Sequence, residues 1–142
     1  EEMIKVFNEL SFKIEFIEKY SYGIGNRSEI IKKLEKADKK YEIFTILNKI
    51  SYEILIQILL TEESSKVNDK IIYFIKKLRN IKPIIAGKDL LEYGFKAGKE
   101  FSIILEKLFE YQINNNIETK EEMRAELIRL KKTFIPGDEK SD

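Results

Sequence analysis

The 142 residues include no cysteine, no histidine and no tryptophan, and only two prolines. Each absence closes a class of chemistry. Without cysteine there is no disulfide and no thiolate nucleophile, and without cysteine or histidine the usual zinc ligand sets cannot be assembled. The commonest general base is missing too. Only oxygen ligands remain for a metal, and these favour a hard cation. No apolar run approaches the length that crosses a bilayer. The opening residues, Glu1-Glu2-Met3-Ile4-Lys5, lack the basic region and long apolar stretch of a secretory signal. A cytoplasmic protein with no membrane partner is therefore expected. The chain opens on Glu1 inside a helical pattern, so further sequence is expected upstream.

What is present is a core-forming and heavily charged chain, 43% hydrophobic and 36% charged, with a formal net charge of +1. That balance suits one domain or two small lobes rather than a disordered segment. The near-neutral total conceals a local imbalance. Between residues 66 and 99, nine basic residues (Lys66, Lys70, Lys76, Lys77, Arg79, Lys82, Lys88, Lys96, Lys99) are set against three acidic ones (Asp69, Asp89, Glu92), a local net of +6. Residues 100–126 turn acidic. A basic stretch on a neutral chain is an electrostatic footprint for phosphates or a solvated lysine face, and charge alone does not choose.

Helical periodicity dominates, and no strand pattern or internal repeat competes with it. Met3, Ile4, Phe7, Leu10, Ile14 and Ile17 recur at spacings of three and four, so the first twenty residues read as one amphipathic helix. Gly23 and Gly25 favour a break there, after which Asn26 reads as an N-cap with Glu29 able to reach back. A short helix follows through Ile30, Ile31 and Leu34, another through Tyr41, Phe44, Leu47 and Ile50. Ser51 is the expected cap of a third, apolar on most sides and so expected at the centre of the core. Ser64 or Ser65 starts the next, which Pro83 prevents from continuing. A short helix near residues 88–93, a longer one near 98–113, a turn at Asn114-Asn115-Asn116 and a last helix opened by a Thr119/Glu122 capping box complete the reading. The expected fold is all-α, a bundle of six to eight helices containing a helix–hairpin–helix-like element. The expected regions are 1–62, 63–135 and a polar tail, 136–142.

Residues 84–108 carry the most information. They read as a short helix, a tight hairpin and a second helix. Gly94 stands where the first helix must stop in a left-handed conformation, and Gly98 where the second begins. A helix start presents unpaired N–H groups and the positive end of its dipole, and glycine leaves a phosphate room to reach them. Lys96 and Lys99 flank this spot, and Lys88 lies one short helix away. Such an element grips a nucleic-acid backbone without reading bases. The same pattern also describes an ordinary corner between two helices. Tyr93, Phe95 and Phe101 could stack on bases, though at helical spacing beside aliphatic residues they read more simply as core.

The strings Pro83-Ile84-Ile85-Ala86-Gly87-Lys88-Asp89-Leu90, Tyr93-Gly94-Phe95-Lys96-Ala97-Gly98 and Ile103-Ile104-Leu105 resemble a signature in the C-terminal region of bacterial class II tRNA nucleotidyltransferases and related poly(A) polymerases. Gly87, Asp89 and Leu90 are its structural positions. Residues 117–122 fit the family's turn into its last helix. The clear similarity spans roughly residues 70–130, and the first sixty are placed mainly by order along the chain. Two positions depart from the family. Ala86 replaces a Ser or Thr cap worth about 1 kcal/mol, which Asp89 partly offsets through the helix dipole. Ala97 replaces a proline and loosens the hairpin slightly.

The resemblance implies a body and tail that bind the acceptor and T arms of tRNA by shape and backbone. The phosphate-contacting set would be Gly94, Lys96, Gly98, Lys99, Lys88, Lys82 and Arg79. It further implies an N-terminal head and neck on the same chain, with Mg²⁺, ATP and CTP as the parent's cofactor and substrates. Head chemistry needs a pair of closely spaced aspartates for two metals. No Asp-x-Asp occurs here, nor the family's Asp-x-x-Arg neck element. The piece is therefore expected to bind no cofactor, to hold no metal and to have no catalytic residue. A helical protein–protein interaction module, marked by an exposed apolar groove, is the alternative. An independent carboxylate enzyme would need several acids converging in a pocket.

Overall fold

The structure, a computed structural model, describes residues 22–134. The expected helix over the first twenty residues and the polar tail at 136–142 lie outside the described residues. Within them the fold is all-α with no strand. A helical stretch at residues 22–25 is followed by seven α-helices and one π-helical turn. These are α1 (Arg27–Lys36), α2 (Lys40–Leu47), α3 (Tyr52–Thr61), α4 (Ser65–Tyr73), the π turn (Phe74–Leu78), α5 (Gly87–Glu92), α6 (Glu100–Asn115) and α7 (Lys120–Phe134). No single helix among the described residues is long and apolar enough to cross a membrane.

The chain falls into two compact units that divide between Arg79 and Asn80. This division does not coincide with the boundary expected after residue 62. The reason is α4, whose buried face of Val67 and Ile71 packs against α1, α2 and α3 and so belongs with them.

In the first unit, the helix starts follow local cap chemistry. Ser51 Oγ accepts the Ile54 N–H at 3.5 Å and Ser64 Oγ the Val67 N–H at 3.4 Å, each satisfying an otherwise unpaired donor of the first turn. Helices α2 and α3 meet at a 111° bend. Ile54, Leu55 and Ile58 of α3 are buried, but Leu60 is 80% exposed, so α3 covers one side of the core instead of sitting at its centre. At the end of α4 the chain widens into the π turn, with Arg79 N–H donating to Phe74 O at 2.9 Å, while Phe74 and Leu78 stay buried.

Asn26 does not cap α1. Its side-chain amide and its backbone N–H both donate to Tyr22 O, at 2.9 and 3.1 Å, closing the preceding helical turn. Glu29 pairs with Lys33 at 2.6 Å instead of reaching back. Gly23 lies within the helical stretch at residues 22–25. It is a point of close approach, since a Cβ there would lie 2.8 Å from the Ile54 side chain.

The second unit has its own core of Ile85, Leu90, Phe95, Ile104, Leu108, Met123, Leu127 and Leu130, supplied by α5, α6, α7 and the segments beside α5. Helix α6 runs through Asn114 and Asn115 and ends at Asn116, the one residue of the expected turn that is left-handed (φ 54°). The Thr119/Glu122 box is formed: Thr119 Oγ1 accepts the Glu122 N–H at 3.3 Å, and Glu122 Oε2 accepts the Thr119 N–H at 3.0 Å. A buried carboxamide tethers the chain ahead of α5. Gln112 Oε1 accepts the Ile84 N–H at 3.0 Å, and Gln112 Nε2 donates to Lys82 O at 2.9 Å.

Candidate functional site

The α5–turn–α6 element holds the residues singled out from the sequence, and the second unit's core fixes it at both ends. Leu90, at the centre of α5, is fully buried, and Phe95 is 4% exposed. At the start of α5, Ala86 has no side chain with which to cap, and Asp89 takes over: its Oδ2 accepts the Ala86 N–H at 2.7 Å. Its Oδ1 accepts from the Lys120 ammonium at the start of α7. Asp89 is therefore buried yet fully partnered. The Lys120 ammonium, then the Ala86 N–H, hold its carboxyl below the usual aspartate range, outweighing burial. Gly87 opens the helix with the Phe101 ring 3.9 Å from where a Cβ would stand.

At the other end α5 stops in a left-handed cap. Gly94 takes φ +85°, its N–H donates to Leu91 O at 2.9 Å, and Phe95 N–H donates to Leu90 O at 3.0 Å. This is the glycine-terminated helix end expected from the sequence. It also means that the Gly94 and Phe95 N–H groups are already used. The free donors lie further on. Among the described residues the N–H groups of Lys96, Ala97, Gly98, Lys99 and Glu100 have no partner within the chain. These five donors follow one another in an exposed loop at the N-terminus of the 16-residue α6. Gly98 leaves this side open, the nearest atom to a Cβ there being Lys96 O at 4.0 Å. Helix α6 begins at Glu100, two residues later than Gly98, and Glu100 places an acidic side chain in its first turn.

Lys88, Lys96 and Lys99 are exposed on this element, and Lys82 is exposed in the tethered segment ahead of it. Arg79 belongs to the first unit. Its guanidinium lies over the Tyr52 ring, 4.7 Å from the centroid, a cation–π contact within that unit. Of the nine cations between residues 66 and 99, five (Lys66, Lys70, Lys76, Lys77, Arg79) are thus in the first unit and four in the second. Lys70 is engaged as a structural cap. Its ammonium donates to Leu34 O at 2.6 Å and Ala37 O at 2.5 Å, satisfying carbonyls at the end of α1. The aromatic residues of the element serve the core: Phe95 is buried, with Tyr93 and Phe101 packed half-buried against the same cluster.

Elsewhere in the second unit an open groove of about 250 Å³ is lined by Lys107, Glu110, Tyr111, Asn114, Asn115, Glu126 and Arg129. Its buried acid, Glu126, is taken up by Arg129 through two bonds of 2.7 and 2.5 Å. Among the described residues no three acidic side chains are grouped to hold a metal ion.

Comparison with known proteins adds no relative: no family model, no curated protein and no solved structure matches this chain significantly.

Proposed function

We propose that this chain is a tRNA-binding, C-terminal part of a tRNA nucleotidyltransferase, and that the α5–turn–α6 element holds the phosphate backbone of the acceptor and T arms. The observation that carries the reading is the loop at residues 96–100. It offers five successive N–H donors with no partner among the described residues, between two core-anchored helices, and Lys96 and Lys99 are exposed in the same loop. Backbone donors at a helix start bind anions through hydrogen bonds and the dipole, and neighbouring lysines add charge attraction. None of these groups reads a base, so the element supplies position and affinity. Nucleotidyl transfer, with its Mg²⁺, ATP and CTP, belongs to a head and neck on the parent chain, and this part works by presenting the tRNA 3′ end to them.

The test is binding of the 142-residue chain to an acceptor–T-arm minihelix across a salt series, beside the Lys96→Glu/Lys99→Glu variant. The expected result is salt-sensitive binding that the variant loses while keeping its helical content. Each phosphate contact adds about 0.7–0.9 to the slope of log K against log salt. Binding unaffected by the reversal would remove the loop from the RNA contact. Absence of binding at low salt would favour an interaction module, whose anchors would include Leu60, 80% exposed, and Leu91, 53% exposed.

A further inference from the structure

The π turn of the first unit sets the place of Arg79. Phe74 and Leu78 of that turn are buried, and the Phe74 ring lies 6.3 Å from the Phe44 ring of α2. Arg79 follows directly, its N–H donating to Phe74 O. A bond that reaches back one residue further than in an α-helix widens the turn and changes the direction in which the next side chain leaves it. The Arg79 guanidinium lies over the Tyr52 ring at the start of α3, 4.7 Å from its centroid. Both residues are exposed, Tyr52 by 42%. This contact occupies one face of a planar group, whose N–H donors all point along its edges. Among the described residues the Arg79 side chain makes no hydrogen bond and no ion pair, so those edges are open. A guanidinium held on a ring, with its donor edge free, can meet two oxygens of one phosphate at once.

We propose that Arg79 makes a second contact with the RNA phosphate backbone, one that lies wholly within the first unit, and that Tyr52 is its positioning residue. The proposal rests on the RNA-binding reading above. It takes nothing from the hairpin, so the two contacts can fail separately. It also gives the π turn a purpose. Such turns recur at functional sites, and here the turn delivers a side chain to the face of an exposed ring. A guanidinium already held by the ring loses less rotational freedom when it meets a phosphate than a fully solvated side chain does.

Two measurements on the 142-residue chain test this. In minihelix binding across a salt series, Arg79→Gln is expected to lower the slope by about 0.7–0.9, the share of one phosphate contact. Lys76→Gln, which removes an exposed cation from the same turn, is expected to change it little. Tyr52→Leu leaves the charge in place and is expected to weaken binding by up to about fivefold, the factor an exposed cation–π contact can supply. Tyr52→Phe, which keeps the ring, is expected to rescue that loss. If Arg79→Gln keeps the parent slope while Lys96→Glu/Lys99→Glu lowers it, the inference fails and the hairpin reading stands. If neither lowers it, both fail. Equal losses from Arg79→Gln and Lys76→Gln would mean general charge only and would also overturn the assignment. Parent-like binding by Tyr52→Leu would remove Tyr52 from the contact. Dicarbonyl modification of arginine in the unsubstituted chain serves where a variant does not fold. Bound minihelix is expected to protect Arg79, and equal labelling of Arg79 with and without RNA would refute the contact.

Discussion

Lys120, the first residue of α7, donates its ammonium to Oδ1 of Asp89, whose second oxygen caps α5 through the Ala86 N–H. One buried carboxylate thus joins the starts of two helices that are separate in sequence. The Asp89 side chain is 5% exposed and that of Lys120 47%. Removing the charge leaves the lysine free to turn to water, so the cost should fall below that of breaking a fully buried pair. Asp89→Asn is expected to destabilise the second unit by about 2 kcal/mol, the scale of a charge-assisted hydrogen bond, as read by chemical denaturation.

The same carboxyl sets a pH dependence. Its folded-state pKa lies below the ordinary aspartate value, with the Lys120 bond as the largest cause. The unfolded chain therefore binds the proton more readily, and protonation opposes folding. The stabilisation is present above the ordinary value, about 4, and is lost as pH falls from there through the depressed folded value. Glu42 and Glu122, lowered chiefly by backbone N–H bonds, act in the same direction. Denaturation between pH 7 and pH 2 should thus show stability falling below about pH 4, with a shallower fall in Asp89→Asn. Equal falls in the two chains would assign the acid sensitivity to the glutamates.

The two glycines of the hairpin should respond differently to alanine. Gly94 has φ +85° and Lys131 Nζ in the way of a side chain. Alanine there is expected to cost about 1–2 kcal/mol from the left-handed conformation alone. Gly98 has neither a positive φ nor a close neighbour. Gly98→Ala should leave stability within about 0.5 kcal/mol. It should weaken minihelix binding about tenfold if the methyl displaces a phosphate from one backbone donor. Denaturation and binding measured side by side separate the two roles.

Gln112 should matter more than a polar residue inside a helix ordinarily does. Its carboxamide, 6% exposed, holds the Lys82 carbonyl and the Ile84 N–H on either side of Pro83. Gln112→Leu removes both partners at once and leaves two backbone groups to find water. A loss of about 2 kcal/mol is expected. Amide exchange should locate it, with Ile84 losing protection while amides in the middle of α6 change little.

What was legible in the sequence was what is written locally. Ser51, Ser64 and Thr119 open their helices because a cap needs only a side-chain oxygen and a donor two or three residues on. Gly94 closes α5 because only its immediate neighbours set the left-handed turn. The polar contacts that position the candidate site have no such local spacing. Lys120 meets Asp89 across 31 residues, Gln112 meets Ile84 across 28, and Lys70 reaches Leu34 across 36. Lys131 comes to Gly94 from another helix. No period relates these pairs, so a count of lysines along the chain sets Lys70 beside Lys96 and cannot show that the Lys70 ammonium is used inside the fold. The π turn and the Asn26 amide were missed for a different reason: both are local bonds, Arg79 N–H to Phe74 O and the Asn26 amide to Tyr22 O, that no residue type in the segment signals in advance.

Lys70 therefore provides a test of whether charge or position makes a lysine part of the site. It lies within the basic stretch and, by composition, counts the same as Lys96. Its ammonium, however, donates to carbonyls at the C-terminal end of α1, and burial followed by the nearby Lys66 pushes its pKa down. Lys70→Met keeps the apolar stem and removes the ammonium, leaving the carbonyls of Leu34 and Ala37 without that partner. A destabilisation of about 1–2 kcal/mol is expected, since desolvation of the ammonium offsets part of the gain from its bonds. The slope of minihelix binding against salt should stay at the parent value, because a cation already satisfied inside the fold releases no counterion from RNA. The Lys96→Glu/Lys99→Glu variant should show the reverse, with stability nearly unchanged and the slope reduced. A reduced slope in Lys70→Met would mean that Lys70 contacts RNA as well, and that charge outweighs position.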